Sequence, residues 1–151
     1  MDILKILVVD DSPIITRKLT MMLELLGYKV VKTAATGREA IAAYRACRPD
    51  VVTMDITMPD MDGIEATRAI THEFSDAKIV MVTSHGQEKM VFEALKAGAK
   101  GYVLKPFDGQ KVHEAIQKAY KREVLQAKLH SENTLRGSDG AAKESDSTPA
   151  E

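Results

Sequence analysis

Short, almost continuous apolar runs recur along the chain, and each is followed by a stretch whose apolar residues return every three or four positions. The runs are I-L-K-I-L-V-V at 3–9, Y-K-V-V-K-T-A at 28–34, V-V-T-M at 51–54, I-V-M-V-T at 79–83 and G-Y-V-L at 101–104. Runs of this length and β-branched content predict strands covered on both faces. The second run carries Lys29, Lys32 and Thr33, which predicts a strand nearer an edge. Helical spacing fills the gaps. Ile15, Leu19, Met22, Leu23 and Leu26 form one such set, Ala40, Ile41 and Tyr44 the next, and Ala66, Ile70 and Phe74 a third. Val91, Ala94 and Leu95 are read as facing inward on a fourth helix over 87–97, and Val112, Ala115, Ile116 and Ala119 on a fifth.

The punctuation agrees with this division. Ser12-Pro13 pairs an N-cap with a proline at the first helical position. Gly27 and Gly98 stop helices, and Thr36-Gly37-Arg38-Glu39 matches a capping box. Pro49 closes the second helix, Ser75-Asp76 the third, and Asp108 is placed to cap the last. Strand and helix alternate five times, which predicts an α/β domain with a parallel sheet and helices on both faces. Right-handed crossovers leave few strand orders, of which 2-1-3-4-5 is a common one.

Composition changes the picture mainly at the C-terminal end. The chain has 151 residues, 44% hydrophobic and 28% charged, values of an ordinary globular domain. A domain over 1–121 is expected, then an extension of the last helix over 122–130. Residues 131–151 are rich in Ser, Gly, Ala and acids and are expected to be disordered, for want of apolar bulk to offset chain entropy. The net charge of −1 gives no global pull toward nucleic acid or anionic membrane. Cys47 is the single cysteine, so no intrachain disulfide forms, which fits a reducing cytosol. It reads as an inert, partly buried thiol. No apolar run is long enough for a membrane span or signal core. His72, His85, His113 and His130 show no zinc-ligand spacing.

The chemistry gathers just past the strands. Asp10 and Asp11 follow the first, Asp55 the third, Thr83 and Ser84 end or follow the fourth, and Lys105 follows the fifth. In a parallel sheet these ends share one edge, where ligands bind. Two carboxylates about 4 Å apart repel by about 4 kcal/mol at an effective dielectric of about 20. A hard divalent cation removes that cost, and Mg²⁺ suits a few carboxylates, a carbonyl and waters, with room for phosphate oxygens. A carboxylate can itself attack phosphorus and become an acyl phosphate. The spacing therefore points to a phosphorylatable aspartate in a Mg²⁺ pocket with a lysine and a hydroxyl opposite.

V-V-D-D-S (Val8–Ser12), M-D-I-T-M-P-D-M-D-G (Met54–Gly63), V-T-S (Val82–Ser84) and Y-V-L-K-P-F (Tyr102–Phe107) resemble, in order, the motifs of the receiver domain of bacterial two-component response regulators, CheY-like in particular. The resemblance covers about residues 3–121. It implies a flavodoxin-like, doubly wound sheet of five strands in the order 2-1-3-4-5 with five flanking helices. It implies Asp55 as phosphoacceptor, with Asp11, Asp55 and the Thr57 carbonyl on Mg²⁺ and Asp10 acting through water. Lys105 is expected to pair with Asp55 and later with the phosphoryl group. Thr83 and Ser84 flank that group, Tyr102 rotates with Thr83, and the Lys105–Pro106 bond is cis. The readout surface falls on the helix 87–97, the strand 101–104 and the last helix. Thr57 and His85 lie where the family tunes dephosphorylation; the plainer reading of His85 is an exposed loop histidine.

The function implied is that of a stand-alone, cytoplasmic, monomeric response regulator. Its expected partners are a sensor histidine kinase, a phosphorylation-dependent output protein such as a flagellar motor switch protein, and a phosphatase, with no nucleic acid or membrane. A phosphorelay receiver is a variant of this reading. A Mg²⁺-dependent phosphohydrolase with an aspartyl intermediate is the enzymatic alternative. It asks for Asp-x-Asp after the first strand and a cap domain, whereas Asp55-Ile56-Thr57 lacks the second acid. A DNA-binding regulator is the third class, and no helix-turn-helix pattern or basic stripe follows residue 121.

Overall fold

A computed structural model describes residues 3–121. The expected helix extension at 122–130 and the disordered tail at 131–151 lie outside the described residues. Five strands form one parallel sheet: β1 (Lys5–Val9), β2 (Lys29–Ala34), β3 (Val51–Met54), β4 (Ile79–Thr83) and β5 (Gly101–Leu104). Their order is β2-β1-β3-β4-β5, every neighbouring pair parallel. The helices are α1 (Pro13–Leu25), α2 (Gly37–Cys47), α3 (Gly63–Glu73), α4 (Glu88–Lys96) and α5, described over 109–121.

Strand alternation divides the core in two. Leu7, Val9, Val52, Met54, Ile79 and Met81 face α2, α3 and α4, where Ala40, Tyr44, Ala66, Ile70 and Ala94 meet them. Ile6, Val8, Val51, Val80 and Val82 face the other way, toward Leu19 and Leu23 of α1 and Val112, Ile116 and Ala119 of α5. Full burial of each such aliphatic side chain contributes about 1.5–3 kcal/mol. β2 is an edge strand and only Ala34 of it is buried, as its lysines predict.

The caps act as the sequence implies. The Ser12 Oγ accepts from the Ile15 N–H at 3.3 Å, and Asp108 Oδ1 accepts from the Lys111 N–H at 2.8 Å. At α2 the Thr36 hydroxyl accepts from the Glu39 N–H at 3.0 Å, but Glu39 reaches back to the Ala35 N–H at 2.9 Å, one residue earlier than a standard box. Gly27 takes φ +99°, a left-handed turn after α1 that suits glycine.

Three expectations are corrected. Leu95 does not face inward: it is 49% exposed, beside Phe92 at 61%. The inner strip of α4 is Met90, Ala94 and, just past the helix, Ala97, spaced by four and three. Val91 and Leu95 lie one step round from that strip. Ile3 is 63% exposed and precedes β1; no neighbouring strand pairs with it. Leu26 caps α1 and is itself exposed.

Candidate functional site

Register puts the acids together. Val9 pairs with Met54, so Asp10 and Asp55 leave β1 and β3 at the same level, and the Asp55 N–H donates to the Val9 carbonyl at 3.0 Å. Thr83 pairs with Leu104, so Lys105 leaves the sheet beside the end of β4, its N–H on the Thr83 carbonyl at 2.8 Å. Asp10, Asp11 and Asp55 each offer a carboxylate oxygen within 4.8 Å of one another.

Each acid has a different environment. Asp10 is buried and fully engaged: Oδ1 accepts from the Ser12 N–H at 2.9 Å and Oδ2 meets Lys105 Nζ at 2.7 Å. Asp11 is exposed. Asp55 is buried; its Oδ1 accepts from the Ile56 N–H at 2.8 Å and its Oδ2 lies 3.5 Å from Lys105 Nζ. Lys105 therefore serves both acids, and its shorter contact is with Asp10 rather than Asp55. Burial, then the Asp10 carboxylate, hold the Asp55 carboxyl above the ordinary aspartate range; Lys105, the Ile56 N–H and the Thr83 hydroxyl pull it back. Three oxygen donors against one ammonium group form a set that fits a hard cation such as Mg²⁺.

The loop after β3 is shaped by Gly63. A Cβ there would stand 1.9 Å from the Asp55 carbonyl oxygen, and the Gly63 N–H donates to the Ile56 carbonyl at 2.7 Å. Asp62 caps α3 through the Glu65 N–H at 2.8 Å. Met58 is buried in the core and Met61 packs against it, so both are filler.

Thr83 is fully buried at the end of β4, and its Oγ accepts from the His85 N–H at 3.4 Å. Ser84 is exposed. Tyr102 is half-buried and its hydroxyl donates to the His85 carbonyl at 2.5 Å. Burial, then the Asp55 charge, push the Tyr102 phenol upward. Lys105–Pro106 is cis. Thr57 and His85 were singled out by spacing from the motifs, but their contact was not foreseen: Thr57 Oγ1 and His85 Nε2 lie 2.5 Å apart. Nothing in a linear sequence pairs residues of two different loops. Cys47 is as expected, its thiol donating to the Ala43 carbonyl at 3.0 Å and pushed upward by burial.

Fold and site together define a flavodoxin-like α/β domain with an acid-lined, lysine-capped pocket at the carboxyl edge of its sheet. The chain belongs to the response regulator receiver domain family, whose model matches residues 6–117. It is 44% identical over 117 residues to the chemotaxis protein CheY of Thermotoga maritima, covering 78% of this chain and 98% of that protein. It is 43% identical over 114 residues to CheY of Bacillus subtilis, covering 76% and 95%. Among solved structures it resembles the CheX–CheY–BeF₃–Mg²⁺ complex of Borrelia burgdorferi, with TM-score 0.75, 35% identity and coverage of 78% of this chain and 89% of that one. A CheY-like receiver domain of Methanospirillum hungatei matches with TM-score 0.77 at 29% identity, covering 83% and 99%. The family is one of response regulators and does not favour the phosphohydrolase reading. Among the described residues, no helix is long and apolar enough to cross a membrane.

Proposed function

We propose that this chain is a response regulator in which Asp55 accepts a phosphoryl group from the phosphohistidine of a sensor kinase, and that this switches binding to an output protein. One observation carries the reading: a buried Asp55 carboxylate flanked by Asp10, Asp11 and the Lys105 ammonium at one sheet edge. Asp11, Asp55 and the Thr57 carbonyl would hold Mg²⁺, with Asp10, whose oxygens are already engaged by Ser12 and Lys105, acting through water. Bound Mg²⁺ would neutralise the carboxylates and screen the incoming phosphoryl oxygens.

An Asp55 oxygen attacks phosphorus as the P–N bond of the phosphohistidine breaks, and that bond's electron pair leaves with the imidazole nitrogen. Lys105 and the Thr83 hydroxyl then hold the phosphoryl oxygens by charge-assisted hydrogen bonds. The Thr83 hydroxyl has one donor and two acceptor sites, so it can donate to the phosphoryl group while its oxygen still accepts from the His85 N–H, and Tyr102 follows. The modification adds about −1.5 to −2 charge, so these contacts exist in one state and not the other. That difference in free energy moves the equilibrium.

The CheY relatives favour chemotaxis, with a flagellar motor switch protein as first candidate output, a kinase upstream and a phosphatase to reset the site. The Borrelia complex, a CheY with a second protein in the presence of BeF₃ and Mg²⁺, favours a partner that recognises the activated form. A phosphorelay receiver is the variant within this class. A cytoplasmic monomer acting without nucleic acid completes the proposal. Incubation with a labelled small phosphodonor and Mg²⁺ is expected to give an acid-stable, base-labile label on the wild type and none on Asp55→Asn. Undiminished label on Asp55→Asn would overturn the assignment.

A further inference from the structure

We infer that the amino edge of the sheet, opposite the acid-lined pocket, is a docking surface for an anionic lipid bilayer. The inference goes beyond the receiver reading and does not rest on it.

Each strand is entered through a basic residue. Lys5 and Lys29 are the first residues of β1 and β2, Lys78 and Lys100 immediately precede β4 and β5, and Arg48 stands shortly before β3. Backbone hydrogen bonds hold these entries level. The Lys29 N–H donates to the Leu4 carbonyl at 3.0 Å and the Asp50 N–H to the Lys5 carbonyl at 2.8 Å. The Val52 N–H donates to the Lys78 carbonyl at 2.9 Å and the Lys100 N–H to the Ile79 carbonyl at 2.7 Å. Neighbouring strands lie about 4.8 Å apart, so the entries form a row roughly 20 Å long. Lys96, the last residue of α4, adds to its charge. The acids nearby are partly engaged: Glu73 is paired with Arg45 at 2.9 Å, and Asp50 Oδ2 accepts from the Lys5 N–H at 2.7 Å. That leaves Glu24 and Asp76 against the row.

The two edges of the sheet therefore carry opposite charge. Asp10, Asp11 and Asp55 stand at the carboxyl edge, with Asp60 and Asp62 in the loop after β3, and the net charge of −1 conceals the separation. An anionic plane attracts the amino edge and repels the other, so it holds the molecule in one orientation, with the pocket facing away. The apolar company of the row selects a bilayer over other polyanions. Ile3, just before β1, is 63% exposed, and Leu25, at the end of α1 and just ahead of Lys29, is 87% exposed. Aliphatic side chains among lysines suit the boundary between headgroups and acyl chains, whereas a soluble polyanion offers them nothing to pack on. A nucleic acid strand would ask for open aromatic faces. The rings of Phe74 and Tyr120 at this edge already carry Arg48 and Lys78, at 4.3 Å and 5.7 Å from their centres.

The test is cosedimentation of the full chain with vesicles of phosphatidylcholine, alone or mixed with phosphatidylglycerol. Binding is expected to the mixed vesicles only. It is expected to fall away as salt rises from about 0.1 M to about 1 M, where the screening length drops from about 10 Å to about 3 Å. Lys5→Gln combined with Lys29→Gln, both at exposed positions, is expected to weaken binding by about tenfold or more. Lys89→Gln combined with Lys111→Gln removes the same charge from exposed positions at the starts of α4 and α5, and is expected to leave binding within about twofold of the wild type. Leu25→Ser is expected to weaken binding to vesicles and to leave any binding to soluble polyglutamate as it was. No binding to mixed vesicles, equal binding to neutral ones, or equal losses from the two lysine pairs overturns the inference. Polyglutamate bound as tightly as the vesicles, with Leu25→Ser without effect on either, overturns the bilayer in favour of an acidic protein chain.

Discussion

At the scale of single residues, Asp55 is a buried acid held above its ordinary pKa range. Its place in the sequence, at the end of a buried run and before a Pro-Asp-Met-Asp-Gly loop, was enough to single it out. What the sequence could not give was the sharing of Lys105, because the length of a lysine stem lets it reach either acid. The energetic consequence has a definite sign. Burial and Asp10 hold the folded-state pKa of Asp55 above its unfolded value. The charged form is therefore penalised above the folded pKa, and the penalty vanishes below the unfolded one, near 3.9 for a free aspartate. In metal-free buffer, Asp55→Asn is expected to melt at a higher temperature than the wild type at neutral pH, with the gap closing as pH falls through the folded pKa. Lys105 keeps its 2.7 Å contact with Asp10 in that variant, so no new unpaired charge offsets the gain. Thermal melts in a chelator at two pH values decide it; an equal or lower melting temperature for Asp55→Asn at neutral pH would show that Lys105 already compensates the burial.

Whole elements were legible where turn residues or charges bracket a short apolar run. β3, β4 and β5 have the bounds read from the sequence because they are short, and Gly, Pro or acids bracket each apolar run. α4 was misjudged on its face, though not in its existence. It covers the sheet with the narrow strip of Met90, Ala94 and Ala97, while Phe92 and Leu95 are exposed. Leu104, at the end of β5, is exposed as well. The loop between β3 and α3 was visible as punctuation only; that Gly63 is there to clear the Asp55 carbonyl needed coordinates. Two glycine substitutions separate these cases. Gly63→Ala drives a Cβ into backbone at 1.9 Å and is expected to destabilise by about 3 kcal/mol or more, beyond ordinary overpacking. Gly86→Ala meets only the tips of the Leu104 side chain, the nearest at 3.2 Å, and is expected to stay within about 0.5 kcal/mol of the wild type. Urea melts of both variants check the contrast, and similar losses for the two would mean that the loop after Asp55 gives way.

At the scale of the whole molecule, the strand order does what no motif does by itself. The residues that meet at the site stand at positions 10, 11, 55, 83 and 105 of the chain. Parallel crossovers bring them to one edge, and the β1–β3 register sets Asp10 and Asp55 level. The alternation of elements predicted a parallel sheet, but the particular order came from family resemblance, since right-handed crossovers alone leave several orders open. Such a site joins separately folded segments, so an ion held there binds the native chain and not the unfolded one. Stability must then rise with Mg²⁺ by RT ln(1 + [Mg²⁺]/Kd), about 2.7 kcal/mol at a concentration one hundred times Kd. Asp11 isolates this term. It is exposed, so Asp11→Ala is expected to leave metal-free stability within about 0.5 kcal/mol of the wild type. The same variant removes an oxygen donor, so the increase with Mg²⁺ is expected to be largely lost. Lys105→Ala should act in the opposite sense on the metal-free protein, leaving Asp10 and Asp55 without their cation. Its melting temperature falls, and Mg²⁺ recovers more of it than in the wild type because the ion now supplies the only positive charge between the acids. Calorimetric melts over a Mg²⁺ series for the three proteins decide the matter. A wild type insensitive to Mg²⁺, or an Asp11→Ala variant that gains as much from it, would mean that these acids share an edge without sharing an ion.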